Sequence, residues 1–177
     1  MLRASTLLVL FALACGATHG PAGVGELPDV AGPWSEQRLP RVVVPLDDAP
    51  ARGAEHPLVT MVVFTDLECR YCQGMAPVIA QLLASHPDEL RVHYRHLPLP
   101  FHEHAMELAM AVEEARAQLG DRGFWAMHDR IFERPTELTE RALVEHARIL
   151  GLDVGRFAEA IRFQSHASRV EDDLTVA

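Results

Sequence analysis

Residues 58–83 read LVTMVVFTDLECRYCQGMAPVIAQLL, and this stretch decides the fold of the chain. Its first part, Leu58–Phe64, is almost wholly apolar and partly β-branched, which is typical of a central strand covered on both faces. From Met75 onward the apolar residues recur at helical spacing, and Pro77 predicts a kink in that helix. The motif CRYC (residues 69–72) therefore places two thiols where a strand passes into a helix.

The position of the two thiols indicates disulfide chemistry. A helix N-terminus offers free backbone N–H groups and a partial positive charge, which favour the thiolate that attacks disulfides. We expect Cys69, at the helix start, to be the nucleophile, and Cys72, one turn later, to be more buried and to resolve the mixed disulfide. Arg70 and Tyr71 lie between them and are expected to tune the acidity and redox potential of the pair, with Glu68 opposing the charge of Arg70.

Two other uses of a cysteine pair compete with redox chemistry. One is a structural disulfide; the other is half of a zinc site, although zinc needs four ligands and a second Cys-x-x-Cys motif is missing. Four histidines follow the motif, and we interpret them as surface or capping residues rather than metal ligands: His93, His96, His102 and His104. The sequence predicts no metal site and no cofactor, but a copper carrier that uses the two thiols stays open as an alternative function.

The first residues resemble an export signal. A short basic start, MLR, precedes the apolar run Leu7–Ala14, which is too short to span a bilayer as a mature helix. We predict a signal peptide over residues 1–14. Cys15 follows directly, and the same residues fit two alternatives, ordinary signal-peptide cleavage or lipid attachment to Cys15. Residues 15–41 are rich in Gly, Pro and Ala and predict a flexible tether. The signal peptide predicts an exported protein, either periplasmic or extracytoplasmic.

Length and charge bound the remaining function classes. The chain has 177 residues, enough for one domain with a real core, and its formal net charge of −9 disfavours nucleic acid as a partner.

In the second half of the chain, we expect Glu113 and Glu114 to lie on a solvated helix face and His128 to be a core histidine. Thr139 predicts the N-cap of a helix that Gly151 ends.

Residues 42–177 are predicted to form one α/β domain. Val42–Val44 is expected to be an edge strand because a proline follows it, and Asp47–Pro57 is expected to be a turn-rich connection. Leu90–Arg95 alternates apolar and polar residues, so it predicts a second main strand that runs parallel to the first. From about residue 102 to residue 165 the pattern is helical, which predicts a helical insertion.

Several segments resemble one known family. FTDLECRYC (residues 64–72) is similar to the active-site segment of the DsbA-like thiol–disulfide oxidoreductases of the thioredoxin superfamily. YRHLPL (residues 94–99) resembles the second strand and exit loop of that family, and GFWAMHD (residues 123–129) resembles a signature in its inserted helical domain. The resemblance runs from about Val42 to the end of the chain.

The resemblance implies an α/β, thioredoxin-like fold with an inserted all-helical domain. It also implies an enzyme that exchanges disulfides through Cys69 and Cys72 without a cofactor. The predicted signal peptide adds export, and Cys15 adds membrane attachment as one alternative. Its expected partners are cysteine-containing exported proteins and a membrane or soluble redox partner that resets the two thiols.

The chain departs from the family pattern at two places. Members usually carry Pro, Gly or His between the two cysteines, where this chain has Arg70 and Tyr71. The family fold also continues with a loop that bears a cis-proline, two antiparallel strands and a last helix, and we find no such segment before Ala177. We therefore expect the C-terminal strand–strand–helix part to be missing, which leaves Leu58–Phe64 with an unpaired apolar edge. An inactive truncated fragment is thus a third hypothesis.

Overall fold

The computed structural model of the protein describes residues 43–46 and 48–177. The predicted signal peptide (residues 1–14), Cys15 and the predicted tether (residues 15–41) lie outside the described residues. In chain order the elements are β1 (Ala51–Gly53), β2 (Val59–Thr65), α1 (Arg70–Ser85), β3 (Leu90–His96), α2 (Ala105–Leu119), α3 (Asp121–Glu133), α4 (Glu140–Ile149), α5 (Val154–Arg162) and α6 (Ala167–Leu174). None of these helices is long and apolar enough to cross a membrane.

The strands of the described chain form one mixed sheet in the order β1-β3-β2. β2 and β3 are parallel, with Val59 opposite Leu90 and Thr65 opposite His96, and α1 connects them. β1 lies antiparallel on the other side of β3. The parallel strand–helix–strand unit predicted from the sequence is therefore confirmed.

The edge strand predicted at Val42–Val44 is wrong. Residues 43–46 form no strand, and β1 instead falls inside the segment that the sequence predicted as a turn-rich connection. Long-range packing selects β1, because the guanidinium of Arg52 lies 4.1 Å from the centre of the Trp125 ring and pairs with Asp129 at 3.0 Å. The local residue pattern cannot report partners so far away along the chain.

Within the described sheet, β2 is an edge strand and not the central, doubly covered strand that its apolar sequence predicted. Only Val62 and Thr65 of β2 are buried, and Leu58, just before it, is 65% exposed. The following helix, α1, has no buried residue. The unpaired edge expected from the sequence is present here. The composition of a strand shows that it is apolar, but not which segments lie beside it.

The hydrophobic core lies mainly among the helices. α2 packs along α3 and α5, and the side chains that meet there are large and apolar: Leu108, Val112, Phe124, Met127, Ile131, Leu143 and Phe157. β3 joins this core through Tyr94, whose ring makes edge-on contacts with Phe124 and Trp125. His128 is buried against the same rings, so the core histidine predicted from the sequence is confirmed.

The ends of α4 follow from the local sequence. Thr139 is the N-cap of α4, and its hydroxyl oxygen accepts a hydrogen bond from the Ala142 N–H at 3.3 Å. Gly151, beyond the other end, has a φ of 74°, a left-handed conformation that glycine adopts without strain. Both predicted boundaries are confirmed, because helix caps depend on residues that are close together in sequence.

Glu113 and Glu114 do not lie on the solvated face predicted for them. Their exposed fractions are only 5% and 2%. Glu113 Oε1 lies 2.9 Å from His96 Nε2, and Glu114 Oε2 lies 2.7 Å from His166 Nε2. A charged run on a helix normally faces water, but each of these carboxylates has a histidine from a distant element as its partner, and a paired charge can be buried.

Candidate active site

Cys69 lies at the start of α1, where the sequence predicted it. It is the N-cap residue, with φ of −71° and ψ of 117°, and its carbonyl oxygen accepts a hydrogen bond from the Gln73 N–H at 2.9 Å. Its own backbone N–H donates to the Asp66 carbonyl oxygen at 3.2 Å. The Cys69 side chain makes no capping hydrogen bond, so its sulfur is available at the positive end of the helix.

Cys72 lies within the first turn of α1 and packs against the helical core. Both cysteines are free thiols, and their side chains are within hydrogen-bonding reach of each other. Burial raises the pKa of Cys72 from 9.0 to about 11; a backbone hydrogen bond from Asp66 lowers it, and the charge of Cys69 raises it. Cys72 is therefore a protonated thiol at neutral pH.

Arg70 and Tyr71, between the two cysteines, are both exposed at the start of α1. Tyr71 is exposed although its ring is largely apolar, and it stands beside the thiols rather than in the core. The tuning of the redox potential that we expect from them stays a prediction.

Asp66 provides the buried carboxylate of the site and is 2% exposed. Its Oδ1 accepts a hydrogen bond from the Glu68 N–H at 2.7 Å. Its Oδ2 accepts one from the Leu99 N–H at 2.7 Å and lies 2.7 Å from Nδ1 of His102. Asp66 thus ties the turn that precedes the thiols to the β3–α2 loop (residues 97–104).

A second carboxylate binds the same loop. Glu68 Oε2 accepts a hydrogen bond from the His104 N–H at 2.6 Å, directly before the first turn of α2. The negative charge of Glu68 therefore lies at the positive end of α2, where it stabilises that helix. The sequence assigned Glu68 an electrostatic effect beside Arg70, whereas the structure shows its carboxylate bound to the loop.

Sequence reasoning did not mark Asp66 as a site residue. A signal was present, since two carboxylates, Asp66 and Glu68, stand just before Cys69 and a proline-rich loop with two histidines follows the next strand. The carboxyl ends of neighbouring parallel strands meet at the same edge of a sheet, which is where sites form in such folds. That rule would have brought the turn after β2 and the loop after β3 together.

Tyr94 lies beneath the site, on β3. Its hydroxyl donates a hydrogen bond to the Thr65 carbonyl oxygen at 3.2 Å, and the Leu97 N–H donates to the same oxygen at 3.0 Å. Burial raises the pKa of Tyr94 well above its usual value of 10.0, and the charges of Cys72 and Asp66 add to the increase. The phenol is therefore a neutral donor that holds the end of β2 under the active-site turn.

The four histidines considered as metal ligands have separate environments. His96 pairs with a buried glutamate, and His102 pairs with Asp66. His104 is the N-cap residue of α2, and burial lowers the pKa of His93, on β3. In the part of the chain that the structure describes, no three His, Cys, Asp or Glu side chains converge in a way that could hold a metal ion.

One protein-family model, described as a DSBA-like thioredoxin domain, matches residues 60–177 of the chain. The matched region contains both cysteines, β3 and every helix from α1 to α6, so it covers more than half of the chain. The match begins after β1 and extends far beyond the cysteine motif.

Two curated relatives are Na(+)/H(+) antiporters. NhaA 3 of Salinispora tropica is 35% identical over 127 residues, which are 71% of this chain and 19% of that protein. NhaA of Herminiimonas arsenicoxydans is 36% identical over 149 residues, which are 81% of this chain and 23% of that protein. The chain thus spans about a fifth of the length of these relatives.

A solved structure shows the same fold. DsbA2 of Pseudomonas aeruginosa is 27% identical and superposes with a TM-score of 0.61, over 73% of this chain and 71% of that chain. This structure and the family model confirm the thioredoxin-like α/β fold predicted from the sequence.

Proposed function

The chain belongs to the family of DSBA-like thioredoxin domains, and we propose that it is a thiol–disulfide oxidoreductase that acts on cysteines of other proteins. One observation carries the proposal. The Cys69 sulfur lies at the N-terminus of α1 and makes no capping hydrogen bond, and Cys72, within the same turn, is in hydrogen-bonding reach of it. The likeness to DsbA2 supports the same chemistry.

In the reducing direction, the Cys69 thiolate attacks one sulfur of a substrate disulfide. A bond forms between Cys69 and that sulfur as the substrate S–S bond breaks, and the other substrate sulfur leaves as a thiolate. Cys72 then passes its proton to the substrate thiolate released in the first step, or to water, and attacks the Cys69 sulfur, which releases the second substrate sulfur as a thiolate. Two electrons pass to the substrate, and the protein keeps a Cys69–Cys72 disulfide. Oxidation of a substrate dithiol is the reverse sequence.

The unequal environments of the two thiols set the order of these steps. Cys72 packs against the core, and its pKa of about 11 keeps it protonated at neutral pH. Cys69 stands at the helix terminus, and its sulfur makes no capping hydrogen bond. Cys69 therefore attacks first, and Cys72 acts only when the mixed disulfide is next to it.

The proposal includes the setting of the domain. Residues 1–14 would direct export, residues 15–41 would form a tether, and Cys15 would be the point of lipid attachment. Residues 42–177 would form the catalytic domain, with residues 102–165 as its helical insertion. The partners would be cysteine-containing exported proteins and a membrane or soluble redox partner that resets the thiols. The residue pattern of the N-terminus supports this setting.

Reduction of insulin disulfides by the full chain with dithiothreitol as electron donor tests the activity. We expect the unaltered protein to accelerate insulin precipitation, and Cys69→Ser and Cys72→Ser to abolish the acceleration. Cys15→Ser is the matched control, because it removes the third cysteine and is expected to keep full activity.

Other results would favour the other hypotheses. Stoichiometric retention of Cu(I) by Cys69 and Cys72 without any disulfide exchange would favour the metal carrier. No exchange and no Cu(I) retention by a folded chain would favour an inactive domain. Equal activity of the unaltered protein and Cys69→Ser would contradict the proposed mechanism.

A further inference from the structure

The helix that carries the two cysteines is held in place by few contacts. No residue of α1 is fully buried, although Cys72 and Ala76 pack against the helical core. Among the described residues, one side chain of α1 donates a hydrogen bond to another helix or strand, and it is Gln73, the neighbour of Cys72. The position of the turn that contains Cys72 therefore depends strongly on this one side chain.

Gln73 binds the carboxyl end of α3. Its Nε2 donates a hydrogen bond to the Phe132 carbonyl oxygen at 2.7 Å, across 59 positions of sequence. Phe132 is the last residue but one of α3, and the final carbonyl groups of a helix have no partner within it. The Gln73 amide supplies the missing donor, so the contact satisfies the end of α3 and fixes the position of α1.

The acceptor belongs to a residue that is itself fixed in the core. Phe132 is 8% exposed, and the centre of its ring lies 4.7 Å from that of His128. The buried His128 ring contacts the Tyr94 ring in turn, at 5.5 Å between centres. Tyr94 holds the end of β2 through the Thr65 carbonyl oxygen. A continuous series of contacts thus joins Gln73 to the strand that leads into the cysteine turn.

We propose that Gln73 is a positioning residue for Cys72, and that its hydrogen bond to α3 holds the Cys72 sulfur where it can attack the Cys69 sulfur. The proposal rests on the proposed function, in which Cys72 resolves the mixed disulfide formed by Cys69. Reacting groups that are held in place react far faster than groups that move independently, and a misplacement of about 1 Å can cost about a hundredfold in rate.

The two thiols are anchored differently. Cys69 is tied to the preceding turn, since its N–H donates to the Asp66 carbonyl oxygen at 3.2 Å. Cys72 lies within α1, and the side chain next to it makes the contact with α3. Loss of the Gln73 amide therefore leaves the first attack, by Cys69, unchanged and slows the second attack, by Cys72. A general loosening of the fold would not separate the two steps.

Gln81 offers a matched control. It lies on the same helix and is exposed, and its side chain makes no hydrogen bond in the part of the chain that the structure describes. Methionine has nearly the length and the unbranched shape of glutamine but no amide, and it is a good helix former. Gln73→Met and Gln81→Met thus remove the same group from two places on α1.

The test uses oxidised glutathione as the disulfide and the full chain in a Cys15→Ser background. The Cys69 thiolate attacks one glutathione sulfur, and the other glutathione leaves as a thiolate. Cys72 then passes its proton to that thiolate or to water and attacks the Cys69 sulfur, which releases the second glutathione. The protein loses two electrons and glutathione gains them. Acid quenching and intact-mass spectrometry follow the formation and the loss of the glutathione adduct.

We expect Gln73→Met to slow the loss of the adduct by at least about threefold. The rate of adduct formation, measured with Cys72→Ser added, should stay the same, and Gln81→Met should change neither rate. Equal slowing of both steps, equal slowing in Gln81→Met, or an unchanged second step would overturn the proposal. If Gln73→Met does not fold by circular dichroism, Gln73→Asn, whose amide is one methylene short of Phe132, decides by the same criteria.

A second measurement separates this proposal from the proposed function. The equilibrium of the Cys69–Cys72 disulfide with reduced and oxidised glutathione needs no protein substrate and no particular order of attack. Looser placement of Cys72 in Gln73→Met should lower the equilibrium constant for disulfide formation by at least about threefold, and Gln81→Met should match the unaltered protein. A failed insulin assay would reject the proposed function, and this equilibrium would still decide the role of Gln73, with an unchanged constant counting against it.

Discussion

Arg95 on β3 and Asp173 on α6 form a buried ion pair, with Arg95 NH1 donating to Asp173 Oδ1 at 2.6 Å. Arg169 shares the same carboxylate oxygen at 2.6 Å, and the His96 N–H donates to the other oxygen at 2.8 Å. This single carboxylate joins α6 to β3, the strand that also carries Tyr94 beneath the thiols. The integrity of the site thus depends on a contact that lies well outside it.

Asp173→Asn is expected to destabilise the protein by about 3 kcal/mol, because it removes the buried charged partner of Arg95 and leaves only the exposed Asp48 carboxylate, at 3.2 Å. Chemical denaturation at neutral pH measures the change. Glu145→Gln is the matched control; it removes an exposed pair with Arg148 and should cost no more than about 0.5 kcal/mol. Similar losses in the two variants would contradict the burial argument.

The same carboxylate gives a pH dependence. Burial opposes the charge of Asp173, but hydrogen bonds from Arg169, the His96 N–H and Arg95 hold its pKa below the usual 3.8. Its contribution to stability is therefore fully present above about pH 3.8 and is lost as the pH falls through the lower, folded-state pKa. Asp173→Asn should remove this part of the acid sensitivity, and urea titrations across that range measure it.

Protonation of His128 is expected to cause a second loss of stability, at a higher pH than the loss caused by Asp173. Burial lowers the pKa of His128 from 6.5, although a hydrogen bond with Asp129 partly opposes the shift. Below pH 6.5 the unfolded chain binds a proton that the folded protein resists, so the free energy of unfolding falls as the pH drops. The slope should approach about 1.4 kcal/mol per pH unit. His128→Gln should flatten the profile between neutral pH and pH 5; an unchanged slope would exclude His128 as the cause.

The order of the two thiols can be read from trapped intermediates. In Cys72→Ser, the mixed disulfide between Cys69 and a disulfide-bonded peptide cannot be resolved, so it should accumulate to near stoichiometry. In Cys69→Ser, the partly buried and protonated Cys72 should give little adduct. Intact-mass spectrometry after acid quenching measures both. Equal adduct in the two variants would mean that the assignment of the nucleophile is wrong.

Alanine substitutions at two helix glycines are expected to change the stability of the protein in opposite directions. A Cβ on Gly123 of α3 would overlap the Ala115 carbonyl of α2, so Gly123→Ala should separate the two helices and cost about 1–3 kcal/mol. Gly74 of α1 has open space around its Cβ position, and Gly74→Ala should stabilise by up to about 1 kcal/mol through helix propensity. Thermal denaturation compares them, and a loss in both would contradict the close-packing account.

Local features were predictable because their causes are local. The Thr139 cap, the left-handed Gly151 and the position of Cys69 at a helix start each depend on residues within one or two turns. The parallel pairing of β2 with β3 was also predictable, since a short strand–helix–strand connection permits few arrangements. The strand β1 was missed because distant residues, Trp125 and Asp129, decide it.

The sequence by itself determined the two thiols at a strand–helix junction, the boundaries of α4 and the family resemblance, because these follow from neighbouring residue types. Only the tertiary structure decided that Asp66 binds His102, that Glu68 binds the start of α2, and that Glu114 is buried beside His166. The physical reason is that a charged side chain looks the same in sequence whether water or a distant partner compensates its charge. The fold alone supplies the distant partner.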